Sequence, residues 1–266
     1  LLYNTEAIVV RNIAYGESDA IVTLLTPSGR LAVLAKGAKK PQSRYAAGVQ
    51  LCVQGVFTLY RRSGMGTLSQ VEIVNARRHL REDLQRAAYA AYFCELATAV
   101  AEEAPHGSET LYRLLVRALD KLEAAAQPPL MARVWETKIL RMAGASPDWT
   151  TCVRCGQPLG EGPAPVAYLP GEGGFVCRRC LIPGTAADTM WTVPAVVPRI
   201  LKSFESVPWT KLGSVQLRPA THRTVRRILE VQLRDFAGLS PKSRAMLESI
   251  DAVFPSTEEE GPESDG

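Results

Sequence analysis

Thr151–Leu181 carries the feature that most limits what this chain can fold into: Cys152 and Cys155 form one Cys-x-x-Cys pair, and Cys177 and Cys180 form a second. Each pair can close as a tight knuckle that offers two thiolates, and two knuckles complete a tetrahedral shell around one zinc ion. The 21 residues between the pairs run slightly past the usual spacing for this arrangement. They are rich in Gly and Pro, so they can return the second knuckle without a core of their own, the thiolates standing in for that core. Gly156 suits the turn after the first pair. Four thiolates saturate the ion and leave no position for water, so the site reads as one structural zinc. A disulfide pair or an unmetallated remnant are the alternatives at this point. No His-x-Glu precedes Cys152, which excludes a zinc deaminase.

The chain has 266 residues, 46% hydrophobic and 22% charged, the balance of an ordinary globular protein with room for two domains. No apolar run approaches the ~20 residues needed to cross a bilayer, and Leu1–Val10 has no leader-like pattern; the expectation is a cytoplasmic protein without a membrane partner. Cys52 and Cys94 lie in apolar surroundings and are expected to be buried thiols. Charge is unevenly divided. Residues 1–78 carry 10 Lys/Arg against 4 Asp/Glu, whereas residues 250–266 carry none against 6. A basic first segment and an acidic tail point to a polyanionic partner.

Residues 6–78 read as five short strands separated by turns, notably at residues 16–19, 27–29 and 63–67. Five strands in that length suit a small closed barrel, an OB-fold first and an SH3-like barrel second. At His79 the period changes from two to 3.6. Leu80, Leu84, Ala88, Ala91, Leu96 and Val100 predict one long helix, Ser108 caps a second, and Pro129 and Gly144 bracket a third. The cysteine module follows. Thr192 is expected to cap a helix starting at Val193, and another is expected from Pro219 to Phe236 with Val225, Ile228, Leu229, Leu233 and Phe236 inward. A last helix covers about 240–250, and Pro255–Gly266 is too polar to fold. The fold class is therefore α+β and multidomain: residues 1–78 an OB-fold domain, 79–250 an α-helical domain with residues 150–182 as its four-cysteine module, and 251–266 an acidic disordered tail.

No phosphate-cradling loop, nucleophile elbow or metalloprotease motif is present, and no small-molecule substrate is implied. His79, His106 and His222 have no ligand-spaced partners and are expected at the surface or as caps. The strongest interaction signal is Lys36, Lys39, Lys40 and Arg44 in one loop, with Tyr60, Arg61 and Arg62 ending the next strand. On an OB barrel, such cations neutralise phosphates while an aromatic ring stacks on a base. No groove-reading helix accompanies them, so sequence readout is not expected. Arg223, Arg226, Arg227 and Arg234 share the polar face of the Pro219 helix, either simply solvated or docking an acidic peptide.

Glu6–Arg11, Tyr15–Asp19, Val22–Thr26, Ala35–Arg44, Arg81–Leu84 and Ala87–Tyr92, followed by the two cysteine pairs, resemble the bacterial DNA repair RecO family. The resemblance extends from Glu6 to about Ile250. It implies an N-terminal OB domain, a helical domain and an embedded zinc finger. It also implies a non-enzymatic, cytoplasmic, nucleoid-associated recombination mediator. Such a mediator binds single- and double-stranded DNA, anneals complementary strands, engages single-strand-binding protein and acts with RecR to load RecA. The family's DNA contacts carry over to the basic loop and, beyond it, to Arg61 and Arg62. A pocket for the tail of single-strand-binding protein is expected in the helical domain, on the arginine-rich helix. The rival readings are a zinc-ribbon transcription or translation factor that uses its barrel on RNA, and a nucleic-acid enzyme of unrecognised type.

Overall fold

The structure is a computed structural model that describes residues 1–103, 107–160, 162, 164–181, 190–212 and 215–253. Five strands, β1 (Leu2–Tyr15), β2 (Asp19–Thr26), β3 (Gly29–Ala35), β4 (Gln54–Tyr60) and β5 (Gly66–Asn75), close a barrel in the order β1-β2-β3-β5-β4. β1 pairs with β2 and with β4, and β3 meets β5 in parallel at Val33–Gly66 and Leu34–Thr67. This is the OB arrangement rather than the SH3-like alternative. β1 begins before Glu6, because Leu2 through Thr5 pair with β4. A register shift between Val9 and Arg11 lets the same strand bend from one neighbour to the other.

Alternation places Ala7, Val9, Val22, Leu24, Phe57, Leu59 and Leu68 in the barrel interior. Gly55 is required where β4 and β5 approach: a Cβ there would lie 2.3 Å from the Glu72 carbonyl oxygen.

Packing divides the chain into two compact units. The division does not fall at the strand-to-helix change near residue 78. The first unit comprises Leu1–Pro128 and Pro241–Phe254, so α1 (Arg78–Glu82), α2 (Leu84–Glu103), α3 (Ser108–Glu123) and α7 (Ser243–Val253) pack with the barrel. Arg77 is one fastening between barrel and helices. Its side chain is fully buried, its Nη2 lies 2.8 Å from Asp120 Oδ1 on α3, and it also donates to the Cys52 carbonyl and Gln54 Oε1. α7 is held to α2 by Glu95, whose carboxylate accepts from the Lys242 and Ser243 amides and the Ser243 hydroxyl. Burial opposes the effect, but these donors outweigh it and hold the Glu95 carboxyl below its usual value.

The single long helix expected from residue 80 is two. The backbone is extended at Asp83 (φ −108°, ψ 120°), whose carboxylate caps α2 through the Arg86 amide at 2.8 Å. Leu84, expected on the buried face, is consequently 57% exposed.

The described part of the second unit lies within Pro129–Ser240. It holds α4 (Pro128–Met142), a sheet in the order β7-β6-β8, α5 (Val196–Ser206) and α6 (Pro219–Val231). The strands are β6 (Val166–Leu169), β7 (Gly174–Val176) and β8 (Trp191–Val193). Residues 131–140 of α4 are buried all round, including Arg133 and Glu136, which pair at 3.0 Å. A sequence pattern that assigns one inward face cannot anticipate this.

Two further expectations fail for local reasons. Thr192 does not cap a helix, because Trp191–Val193 pairs with β6 and Pro194, lacking an amide hydrogen, ends that strand. α5 starts only at Val196. Phe236 is not inward but 42% exposed. α6 runs into a π-helical turn, Gln232–Phe236, which rotates the register and buries Gln232 instead. Gln232 Nε2 donates to the Tyr168 hydroxyl and the Gly173 carbonyl. The acidic tail does not begin at residue 251, because α7 continues to Val253 and the Asp251 carboxylate accepts from the Tyr89 hydroxyl at 2.8 Å; residues 254–266 and His106 lie outside the described residues.

Candidate nucleic-acid interface and metal centre

The β3–β4 connection begins with the basic loop and ends by covering the barrel, with Tyr45 and Val49 in its core. Its start is fixed by the turn before β2: Asp19 Oδ1 accepts from the Gly37 amide at 2.7 Å, and the Lys39 amide donates to the Ser18 carbonyl at 2.8 Å. Gly37 has φ +66°, the left-handed turn that favours glycine.

The loop overhangs a groove of about 680 Å³ lined by Lys36, Lys40, Arg44 and Tyr60 together with Tyr45 and the Thr67–Ser69 edge of β5. The structure thus brings four of the seven sequence-predicted contacts into one groove. Lys39, Arg61 and Arg62 are also exposed but do not line it. Tyr60 is 51% exposed, with a ring free to stack. Tyr45 is a groove-lining residue that sequence reasoning missed. It is buried, its hydroxyl accepts from Arg44 Nη2 at 2.5 Å, and it donates to the Ser69 carbonyl at 2.9 Å. An aromatic residue directly after the last cation of the loop was the available signal.

In the second unit, the sulfurs of Cys152, Cys155, Cys177 and Cys180 lie within 4.8 Å of one another. Zinc–thiolate bonds of about 2.3 Å in a tetrahedron require sulfurs about 3.8 Å apart. The Cys155 and Cys177 sulfurs are 3.7 Å apart. Four thiols with that spacing can hold a metal ion. The first knuckle is closed by the Gly156 amide donating to the Cys152 carbonyl at 2.8 Å, with Gly156 at φ +69°. The second is closed by the Cys180 amide on the Cys177 carbonyl at 3.0 Å.

Burial opposes ionisation of Cys152, but the amides of Cys177, Cys155 and Arg154 and the Cys155 thiol outweigh it and bring this thiol down to about 6. The Cys180 amide is the main influence lowering Cys177, while the Cys155 and Cys177 thiols push Cys180 up to about 12. Four crowded thiols cannot all ionise without a cation among them. The module is not coreless: Cys152 and Cys177 pack with Leu169 and Val176, flanked by Leu159, Leu181 and Met190. Arg154 pairs with Glu172 at 2.6 Å and donates to the Cys180 carbonyl, so it braces the module.

The arginines of the Pro219 helix are occupied within the unit. Arg226 meets Glu230 at 2.9 Å, Arg227 lies 3.7 Å from the Trp191 ring centroid, and Arg234 meets Asp235 at 2.6 Å. Arg223 is exposed. His79 is at the surface beside Glu82, as expected. His222 is not: it is half-buried, and burial first, then Arg133, Arg226 and Arg223, push its imidazole down to about 4. It sits three residues before Val225, on the flank of the buried stripe, where a polar neighbourhood in sequence says nothing about burial. No helix among the described residues is long and apolar enough to cross a membrane.

Residues 1–77 match the family described as "Recombination protein O N terminal", and residues 81–245 match "Recombination protein O C terminal". The chain is 32% identical over 254 residues to a protein of Halalkalibacterium halodurans named "DNA repair protein RecO", covering 95% of this chain and 97% of that one. It is likewise 32% identical over 254 residues to the protein of that name from Bacillus anthracis, covering 94% of this chain and 98% of the other. Matched along nearly its whole length, the chain belongs to the RecO family.

Proposed function

We propose that this chain is a non-enzymatic mediator of DNA repair and recombination that binds single- and double-stranded DNA through its barrel and anneals complementary strands. The observation that carries the reading is the groove gathering Lys36, Lys40, Arg44 and Tyr60 on an OB barrel, in a chain of the RecO family. The three cations neutralise phosphates, while Tyr60 offers a face to a base of any identity. Lys39, Arg61 and Arg62 extend the field outside the groove. Annealing needs many weak contacts that hold no base in register, and exposed cations supply them. In this reading, residues 1–78 bind DNA, and the helical remainder docks partners.

The partners we assign are single-strand-binding protein and RecR, with which the chain loads RecA; it works in the cytoplasm on nucleoid DNA. Docking of an acidic tail on the face of Arg223, Arg226, Arg227 and Arg234 requires Arg226 and Arg234 to exchange Glu230 and Asp235 for the partner's carboxylates. Neither pair is fully buried, so the exchange costs little. The metal of the four-cysteine site is one zinc ion, since an all-thiolate tetrahedral shell suits zinc and leaves no catalytic position. An annealing assay on complementary DNA and RNA strands, run with and without single-strand-binding protein and RecR, tests the assignment. Annealing confined to RNA, or no response to either protein, would overturn it.

A further inference from the structure

Cys52 is one of two described non-glycine residues with a positive φ, at +67°. Left-handed backbone is costly for a side chain with a Cβ, and it persists only where its surroundings hold it. Here they do. The Cys52 amide donates to the Val9 carbonyl at 2.9 Å, and its own carbonyl accepts from the buried Arg77 guanidinium at 3.0 Å. The result is that the Cys52 thiol, from the β3–β4 connection, sits against the Cys94 thiol of α2 with sulfurs 3.7 Å apart, both side chains buried.

A merely apolar filler would not need a strained backbone or a second thiol opposite. Nor does the pair read as a metal site, because no third ligand joins it among the described residues. Contact with Cys52, together with burial, pushes the Cys94 thiol well up.

We propose that Cys52 and Cys94 form an oxidation site that closes into a disulfide under peroxide and ties the barrel to α2. When the turn at Cys52 opens and admits hydrogen peroxide, the Cys52 sulfur gives up its proton and attacks one peroxide oxygen; the O–O bond breaks, Cys52 becomes a sulfenic acid, and the departing hydroxide takes the proton as water. The other thiol then attacks that sulfur and expels a second water. Two thiols are oxidised and one peroxide is reduced to two waters. The sulfurs must approach by about 1.7 Å to reach the bond length of ~2.05 Å, and the strained turn at Cys52 supplies the movement. Cys52 lies in the same connection as Lys36–Arg44, so the bond braces the segment that carries the groove. It also closes a loop of about 40 residues, which raises the stability of the first unit.

The test exposes the whole protein to hydrogen peroxide, alkylates free thiols in denaturant and digests without reduction. A linked Cys52–Cys94 peptide pair is expected, together with a rise of about 5 °C or more in the thermal midpoint of the first unit. Both should vanish in Cys94→Ser and in Cys52→Gly, the second of which suits the positive φ and preserves the fold. Recovery of both cysteines as separate alkylated thiols or separate sulfinic acids, with the module cysteines already oxidised, overturns the proposal.

Discussion

Arg44 and Tyr45 are sequence neighbours whose side chains act as one unit: Arg44 Nη2 donates to the Tyr45 hydroxyl at 2.5 Å, and the guanidinium carbon stands 4.8 Å from the ring centroid. Because Tyr45 also donates to the Ser69 carbonyl, the cation at the end of the basic loop is fixed to β5. A flexible loop of lysines would give charge without position. This contact gives both.

Removing only that hydroxyl separates the two effects. Tyr45→Phe should cost about 1 kcal/mol of stability in urea unfolding and weaken DNA binding several-fold. The salt dependence should stay unchanged, since no cation is lost. A variant that binds as tightly as the parent would mean Arg44 does not need this support.

Asp120 is the counter-charge of a fully buried arginine, although its own side chain is 48% exposed. Asp120→Ala leaves Arg77 with the Cys52 carbonyl and Gln54 Oε1 as acceptors. The cost should be about 2 kcal/mol, below the 3–5 typical of a wholly buried pair. Urea unfolding followed by barrel tyrosine fluorescence measures it, and no loss would contradict the assignment of Arg77 as a fastening.

Much of this was legible in the sequence, for identifiable reasons. The barrel could be read because turns interrupt short alternating runs, and the metal centre because Cys-x-x-Cys spacing prescribes a backbone turn. The groove could be read only in part: charge placed Lys36, Lys40 and Arg44 together, but the tertiary contact of Tyr45 with Ser69 has no local signature. α4 defeated periodicity because it is surrounded on all sides, with Arg133 and Glu136 paired inside. Phe236 was misplaced because a π-helical turn adds a residue to the repeat on which its assignment depended. Trp191–Val193 was misassigned because strand pairing is a long-range property that overrides a local cap signal.

His222 makes the second unit sensitive to acid. Unfolded, its imidazole takes up a proton near its ordinary value of 6.5; folded, it does so only at about 4. Between those values the unfolded chain binds more protons, so stability falls as the pH is lowered through the window. The loss approaches about 3 kcal/mol at its lower end. His222→Gln should flatten the pH dependence between 6.5 and 4, measured by denaturant unfolding at each pH; an unaltered curve would remove His222 as its source.

Chelation should act on one unit only. Stripping the metal leaves four crowded thiols around Leu169 and Val176, so the module should loosen and unfolding of the second unit should move to lower denaturant, while the barrel unfolds as before. Metal analysis is expected to give one zinc per chain in the parent and none in Cys177→Ser. Hydrogen exchange then locates the change. Uniform loss of protection across the barrel would contradict an embedded, local role for the metal.

The groove of Lys36, Lys40 and Arg44 is expected to bind nucleic acid through its phosphates. The direct measurement is the dependence of single-stranded DNA affinity on salt for the parent and for the triple variant Lys36→Ala, Lys40→Ala, Arg44→Ala. If each cation neutralises one phosphate, the log–log slope should shrink by about 2, at roughly 0.7 per contact. Affinity at low salt should fall with it. A triple variant that folds normally and keeps the parental slope would place the DNA elsewhere on the molecule.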